Sequence, residues 1–204
     1  MEKTKCLYDK LPYETEFDAN VLAVKALEEA QDRYEVILDQ TLFFPEQGGQ
    51  TPDQGWLSVG HGLRPAIRCK VQDVQIRDGV IVHVIEQKLE PGDQVHGQID
   101  WDYRFSNMQQ HTGEHIFSGL VHKHFGYDNV GFHMGTDEVT VDFNGVLTQE
   151  QLDELEDEAN QLIYDNVPVK VFYPSKEELE ELDYRSKKEL TGLVRIVEIP
   201  GGDI

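Results

Sequence analysis

Along the first hundred residues, apolar and polar positions change places every one or two residues. Phe17-Asp-Ala-Asn-Val-Leu-Ala-Val, Tyr34-Glu-Val-Ile-Leu, Ala66-Ile-Arg-Cys-Lys-Val and Val80-Ile-Val-His-Val-Ile are short, β-branched and partly alternating, the pattern of half-buried strands. Trp56-Leu-Ser-Val reads as another. Turn signals separate them at Arg77-Asp-Gly79, at Pro91-Gly-Asp93 and in the Gly- and Pro-rich stretch 45–55. Several short strands at this spacing predict a small β-barrel or sandwich.

The period changes near Asp100. From 102 to 125 a helix fits, with Phe105, Met108, Thr112, Ile116, Leu120 and His124 on or near one face and Gly126 as its stop. Strand-like pieces at 130–134 and 138–143 follow, with Gly135-Thr-Asp137 as a hairpin turn. Thr148 and Gln151 have capping-box spacing for a helix from Gln149 to about Asp165. Residues 168–173 read as a strand, Ser175 and Glu178 cap a second acidic helix, and 193–199 form a last strand. The expected fold class is α+β. A small β-barrel domain with a glycine-rich motif spans 1–100, and an α+β domain with antiparallel strands and helices spans 101–204.

Composition narrows the function classes. The 204 residues, 39% of them hydrophobic, suffice for one large or two small cores. No apolar run is long enough to cross a bilayer and no basic-then-apolar leader is visible, so no membrane partner is expected. Cys6 and Cys69 lie far apart and form no Cys-x-x-Cys pair. A reducing, cytoplasmic setting with two ordinary buried thiols is the simplest reading. The formal charge of −21 disfavours unaided tight binding to a phosphate backbone. Residues 150–183, with twelve acidic and two basic side chains, supply nearly half of that excess as a solvated acidic face.

The candidate chemistry begins with His111 and His115 in Gln-His-Thr-Gly-Glu-His. Residues i and i+4 share a helix face, so two imidazoles can converge on one metal ion. Both fall at the edge of the apolar face. His122, roughly 16 Å further along the helix from His111, cannot share that ion. The same stretch fits the His-x-x-Glu-His pattern of inverted zinc proteases, with Glu114 as general base. The helical wheel turns Glu114 away from the apolar face, which favours solvent exposure over that role. A second constellation is Asp39-Gln-Thr-Leu-Phe-Phe-Pro-Glu-Gln-Gly-Gly-Gln50. Gly48 and Gly49 permit positive φ. The loop is either a tight β-connection or a surface presenting backbone amides, Gln50 and the Thr41 hydroxyl to a small polar ligand. His133, alternating with Phe132 and Met134, either faces a ligand or is a hydrogen-bonded structural histidine.

Together these residues resemble the alanyl-tRNA editing proteins, free-standing relatives of the editing domain of alanyl-tRNA synthetase. The glycine motif is followed about 60 residues later by Met108-Gln-Gln-His-Thr-Gly-Glu-His. Further matches are Gly97-Gln-Ile-Asp-Trp-Asp-Tyr-Arg, Thr140-Val-Asp-Phe, Asn160-x-x-Ile-x-x-Asn-x-Pro168-Val and Val194-Arg-Ile-Val. The resemblance runs from about residue 7 to the end. It implies a zinc-bearing hydrolase that removes serine or glycine wrongly attached to tRNA(Ala). It implies that His111 and His115 are zinc ligands, that Thr41 hydrogen-bonds the serine hydroxyl, and that Gln50 lines the pocket. Gly48, Gly49 and His133 are the further substrate-binding candidates. The family completes its zinc site with Cys-x-x-x-His, and the sequence reaches that place at Pro200-Gly-Gly-Asp-Ile204. A chain truncated before those ligands, with an incomplete zinc site, is therefore expected. The competing functions are the inverted-motif zinc protease and a non-catalytic tRNA- or protein-binding module.

Overall fold

The computed structural model describes residues 3–27, 32–60, 67–135, 137–182 and 194–204. Ala66, Thr136 and Leu193, each named above in a predicted strand or turn, lie outside the described residues. The chain divides into two compact units, 1–109 with 133–138, and 110–132 with 139–204.

The first unit is built on a closed antiparallel barrel. Its strands are β2 (Glu16–Ala26), β3 (Tyr34–Leu38), β5 (Gly55–Val59), β6 (Ile67–Arg77), β7 (Val80–Ile85) and β8 (Gln94–Ile99), in the order β2-β3-β7-β6-β5-β8. Two short strands outside the barrel, β1 (Lys5–Cys6) and β4 (Gln40–Thr41), pair in parallel. Alternation fills the interior: Phe17, Ala19 and Val21 from β2, Val36 and Leu38 from β3, and Leu57, Cys69 and Val71 from their neighbours are buried together. Register shifts at Val21/Ala23 and Val71/Asp73 bend the sheet, as barrel closure requires.

β8 closes the barrel by pairing with both β2 and β5, and it is not among the strands expected from the sequence. Its residues alternate between exposed and buried positions, but Gly97 takes the place of an apolar side chain at an inward one. The glycine is needed there: a Cβ would lie 2.2 Å from the Phe17 ring, which packs across that point. Cys69 is buried as expected, and burial pushes its thiol up to about 11. Cys6 departs from the expectation, because as part of the two-residue β1 it is only half-buried.

Helix α1 (Trp101–Phe125) begins where Asp100 accepts a hydrogen bond from the Tyr103 amide and stops at Gly126, whose φ is +68°. Its buried face differs from the apolar stripe expected of it. Phe105 and His124 are exposed, whereas Arg104, Asn107, Glu114 and Ser118 are buried, as are Ile116, Leu120 and Val121.

In the second unit, β9 (Asn129–Met134) and β10 (Val139–Phe143) form a hairpin whose tip, residues 133–138, groups with the first unit. Helix α2 (Gln149–Tyr164) carries the Thr148–Gln151 capping box, and α3 (Lys176–Glu181) carries that of Ser175 and Glu178. β11 (Lys170–Phe172) and β12 (Ile196–Glu198) make a second antiparallel pair. The core of this unit joins Ile116, Leu120 and Val121 of α1 to Leu155 of α2 and to Ile199.

Candidate functional site

In the first unit the glycine motif is a two-residue hairpin. Gln47 and Gln50 exchange both backbone hydrogen bonds, at 3.2 and 3.1 Å. Gly48 and Gly49 between them have φ of +64° and +87°. Two successive positive φ values define a type I′ turn, which residues with a Cβ adopt only with strain. The Gly49 carbonyl accepts the Met134 amide at 2.9 Å, which brings the candidate His133 beside the turn within the same unit. His133 itself is exposed, Met134 is buried, and the Gln50 residue is buried.

The motif is clamped from the first turns of α1. The Arg104 guanidinium grips the Asp53 carboxylate through Nε and Nη2, and Nη2 also donates to the Leu42 carbonyl at 2.6 Å. Asp53 in turn accepts the Phe44 amide at 2.6 Å. Tyr103 and Asn107 donate to the Thr51 hydroxyl at 2.9 and 3.3 Å.

Thr41 lies wholly inside the barrel unit, with 0% exposure. Its hydroxyl is 2.9 Å from His83 Nε2, and it accepts the Phe43 amide at 3.0 Å. His83 Nδ1 lies 3.2 Å from the Val36 carbonyl. A carbonyl only accepts, so Nδ1 carries the proton. Burial pushes the imidazole down to about 4, against a smaller raising effect of Val36, so it is neutral near pH 7. Nε2 is then an acceptor, and Thr41 donates its proton to it. What the Thr41 oxygen has left to offer is a lone pair.

The second unit holds the histidine pair. The His111 and His115 rings stack at 5.1 Å with 24° between planes, and His111 also stacks on Phe132 at 5.6 Å. Burial, reinforced by the neighbouring His115, lowers the His111 pKa, with Glu114 opposing. That favours the neutral, metal-binding form. Glu114 contradicts the wheel reading: it is 8% exposed, not turned to solvent. Its Oε1 accepts from the Ser118 hydroxyl and the Asn129 amide, and its Oε2 lies 4.0 Å from His115 Nε2. The physical reason is that α1 buries a polar network here, which an apolar wheel does not score.

His111, Glu114 and His115 each offer one ligand atom, and these atoms lie within 4.8 Å of one another. Two imidazole nitrogens and a carboxylate oxygen are a donor set that suits zinc. The protein therefore gathers three candidate donors where two were expected. His122 takes no part and instead pairs with Asp128 at 3.0 Å. Asp203 was missed by the sequence reading and accepts from His115 Nδ1 at 2.9 Å. A hollow of about 730 Å³ on the barrel, lined by Asp18, Asn20, Gln40, Gln94 and His96, contains none of the predicted site residues.

Residues 2–103 match the family described as tRNA synthetases class II (A). The alanyl-tRNA editing protein AlaX-M of Methanosarcina barkeri is 34% identical over 97% of the chain and 83% of its own length. AlaX-L of Pyrococcus horikoshii is 32% identical over 97% of the chain, which spans 48% of that relative. The alanine–tRNA ligase of Halorubrum lacusprofundi is 37% identical over 88% of the chain, which spans 19% of it. On this identity and coverage, the chain belongs to the alanyl-tRNA editing protein family.

Proposed function

We propose that this chain acts in trans on tRNA(Ala) mischarged with serine or glycine and hydrolyses the aminoacyl ester. The observation that carries this reading is the convergence of His111, Glu114 and His115 donor atoms within 4.8 Å in a member of this family. These three residues would hold a zinc ion. When bound, zinc supplies Lewis acidity toward an ester oxygen or a water. Ser118 and Asn129 hold the Glu114 carboxylate in one orientation, and Phe132 supports the His111 ring. An aminoacyl ester is already activated, so catalysis rests mainly on positioning and charge stabilisation.

Discrimination is assigned to Thr41. Thr41 is fully buried in the chain alone, so this assignment requires the motif to open to substrate. With its hydroxyl proton committed to His83, its oxygen then suits a donor such as the serine hydroxyl, and alanine brings no such group. A hydrogen-bonding contact can separate substrates that differ by a hydroxyl far better than packing can. Gln50, Gly48, Gly49 and His133 are proposed to line the substrate side of the same motif.

The test is hydrolysis of Ser-, Gly- and Ala-tRNA(Ala). The parent chain should cleave the first two and spare the third. Thr41→Val should slow serine release about 10- to 100-fold and leave glycine release within about twofold, because glycine has no hydroxyl to read. Equal cleavage of Ser- and Ala-tRNA(Ala) by the parent chain sinks the discrimination role. Casein cleavage abolished by Glu114→Gln would favour a protease instead.

A further inference from the structure

The turn at residues 199–203 is fitted against α1 within the second unit. Ile199 and Asp203 exchange backbone hydrogen bonds at 2.8 and 3.0 Å, and Gly201 has φ of +84°. The turn sits where α1 has no side chain: a Cβ on Gly119 would lie 2.0 Å from the Gly202 carbonyl oxygen. Gly119 therefore admits the turn, and Leu162 of α2 flanks it from another side. The outcome is that the Asp203 carboxylate, largely buried, meets His115 Nδ1 at 2.9 Å.

That contact has a chemical consequence. A carboxylate only accepts, so Nδ1 carries the proton. In the neutral ring the lone pair is then on Nε2, the nitrogen that lies 4.0 Å from Glu114 Oε2 in the donor cluster. With the tautomer reversed, His115 would offer an N–H to the cluster and no lone pair. We propose that Asp203 is a positioning residue that fixes His115 as the Nδ1–H tautomer and so presents Nε2 to the metal. A carboxylate behind a ligating histidine orients the ring and raises its basicity. The metal half of this inference rests on the zinc reading above; the tautomer half stands on the contact alone.

Long-range proton–nitrogen NMR of the metal-free chain reads the tautomer directly. His115 should appear as Nδ1–H in the parent. Asp203→Ala should shift it toward Nε2–H, and Asp203→Asn, which keeps an acceptor, should restore much of the parent pattern. Gly119→Ala should produce the same shift with Asp203 intact, because it displaces the turn. Zinc affinity by chelator competition should fall about 10- to 100-fold in Asp203→Ala, while far-UV circular dichroism of the metal-free protein stays unchanged. An Nε2–H tautomer in the parent, or a tautomer and zinc affinity indifferent to Asp203→Ala, overturns the proposal. A parent chain that shows the Nδ1–H tautomer but takes up no zinc contradicts the metal reading and supports the assignment of Asp203 to His115.

Discussion

His83 shows how one buried side chain can set the polarity of another. Its proton goes to the Val36 carbonyl, so its second nitrogen must accept, and the Thr41 hydroxyl points its hydrogen there. Burial costs the charged imidazole its hydration and holds its pKa near 4, below the ordinary 6.5. The linkage has a definite sign. Above pH 6.5 both folded and unfolded chains carry the neutral ring and nothing is lost. Between about 6.5 and 4 the unfolded chain takes up a proton that the folded one refuses, so stability falls. The loss is on the order of 3 kcal/mol when complete. Urea unfolding at pH 7 and pH 5 should show it, and His83→Gln should flatten the difference. Glu114 teaches the complementary lesson. Its sequence neighbours placed it on a polar face, and the structure buries it because Ser118 and Asn129 satisfy its carboxylate. Asn129 reaches it from a different element, and no periodicity along one helix contains that information.

At the scale of elements, the barrel was readable because most of its strands alternate and its turns carry Gly, Pro and Asp. The capping boxes of α2 and α3 were legible to the residue, since the rule behind them is local. β8 was missed because Gly97 stands where an apolar residue would mark the inward phase, and that glycine answers to the Phe17 ring rather than to its own strand. The polar start of α1 escaped for the same reason, because Arg104 is explained by Asp53, far along the chain. This buried pair gives a firm expectation. Arg104→Ala leaves the Asp53 charge buried without its counterion and should cost about 3–5 kcal/mol in urea unfolding. Joint replacement by apolar residues of similar volume should cost much less. Gly49→Ala should cost about 1–2 kcal/mol, since the penalty comes from positive φ. An unchanged midpoint would show that the type I′ turn is not held in solution.

Across the molecule, the histidine pair and the glycine motif stand out in the sequence as candidate chemistry, while the third candidate donor beside the pair does not. Glu114 enters that candidate set through burial, and Asp203 stands behind His115 on a turn distant in sequence. The net charge of −21 bears on the proposed tRNA partner. A chain this acidic, with 39 acidic against 18 basic residues, should make few phosphate contacts and release few counterions from tRNA, so its affinity should change less than about tenfold between 50 and 200 mM salt. Filter binding across that range measures it. Among the described residues no helix is long and apolar enough to cross a membrane. The central claim is that His111, Glu114 and His115 hold a metal that this chain uses to hydrolyse the aminoacyl ester of a mischarged tRNA(Ala). The most direct measurement follows serine release from Ser-tRNA(Ala) by the parent chain, by the parent after chelation and zinc restoration, and by His111→Ala. Loss on chelation, recovery with zinc and inactivity of His111→Ala are the predicted results. Serine release that persists through chelation and through His111→Ala would contradict the account.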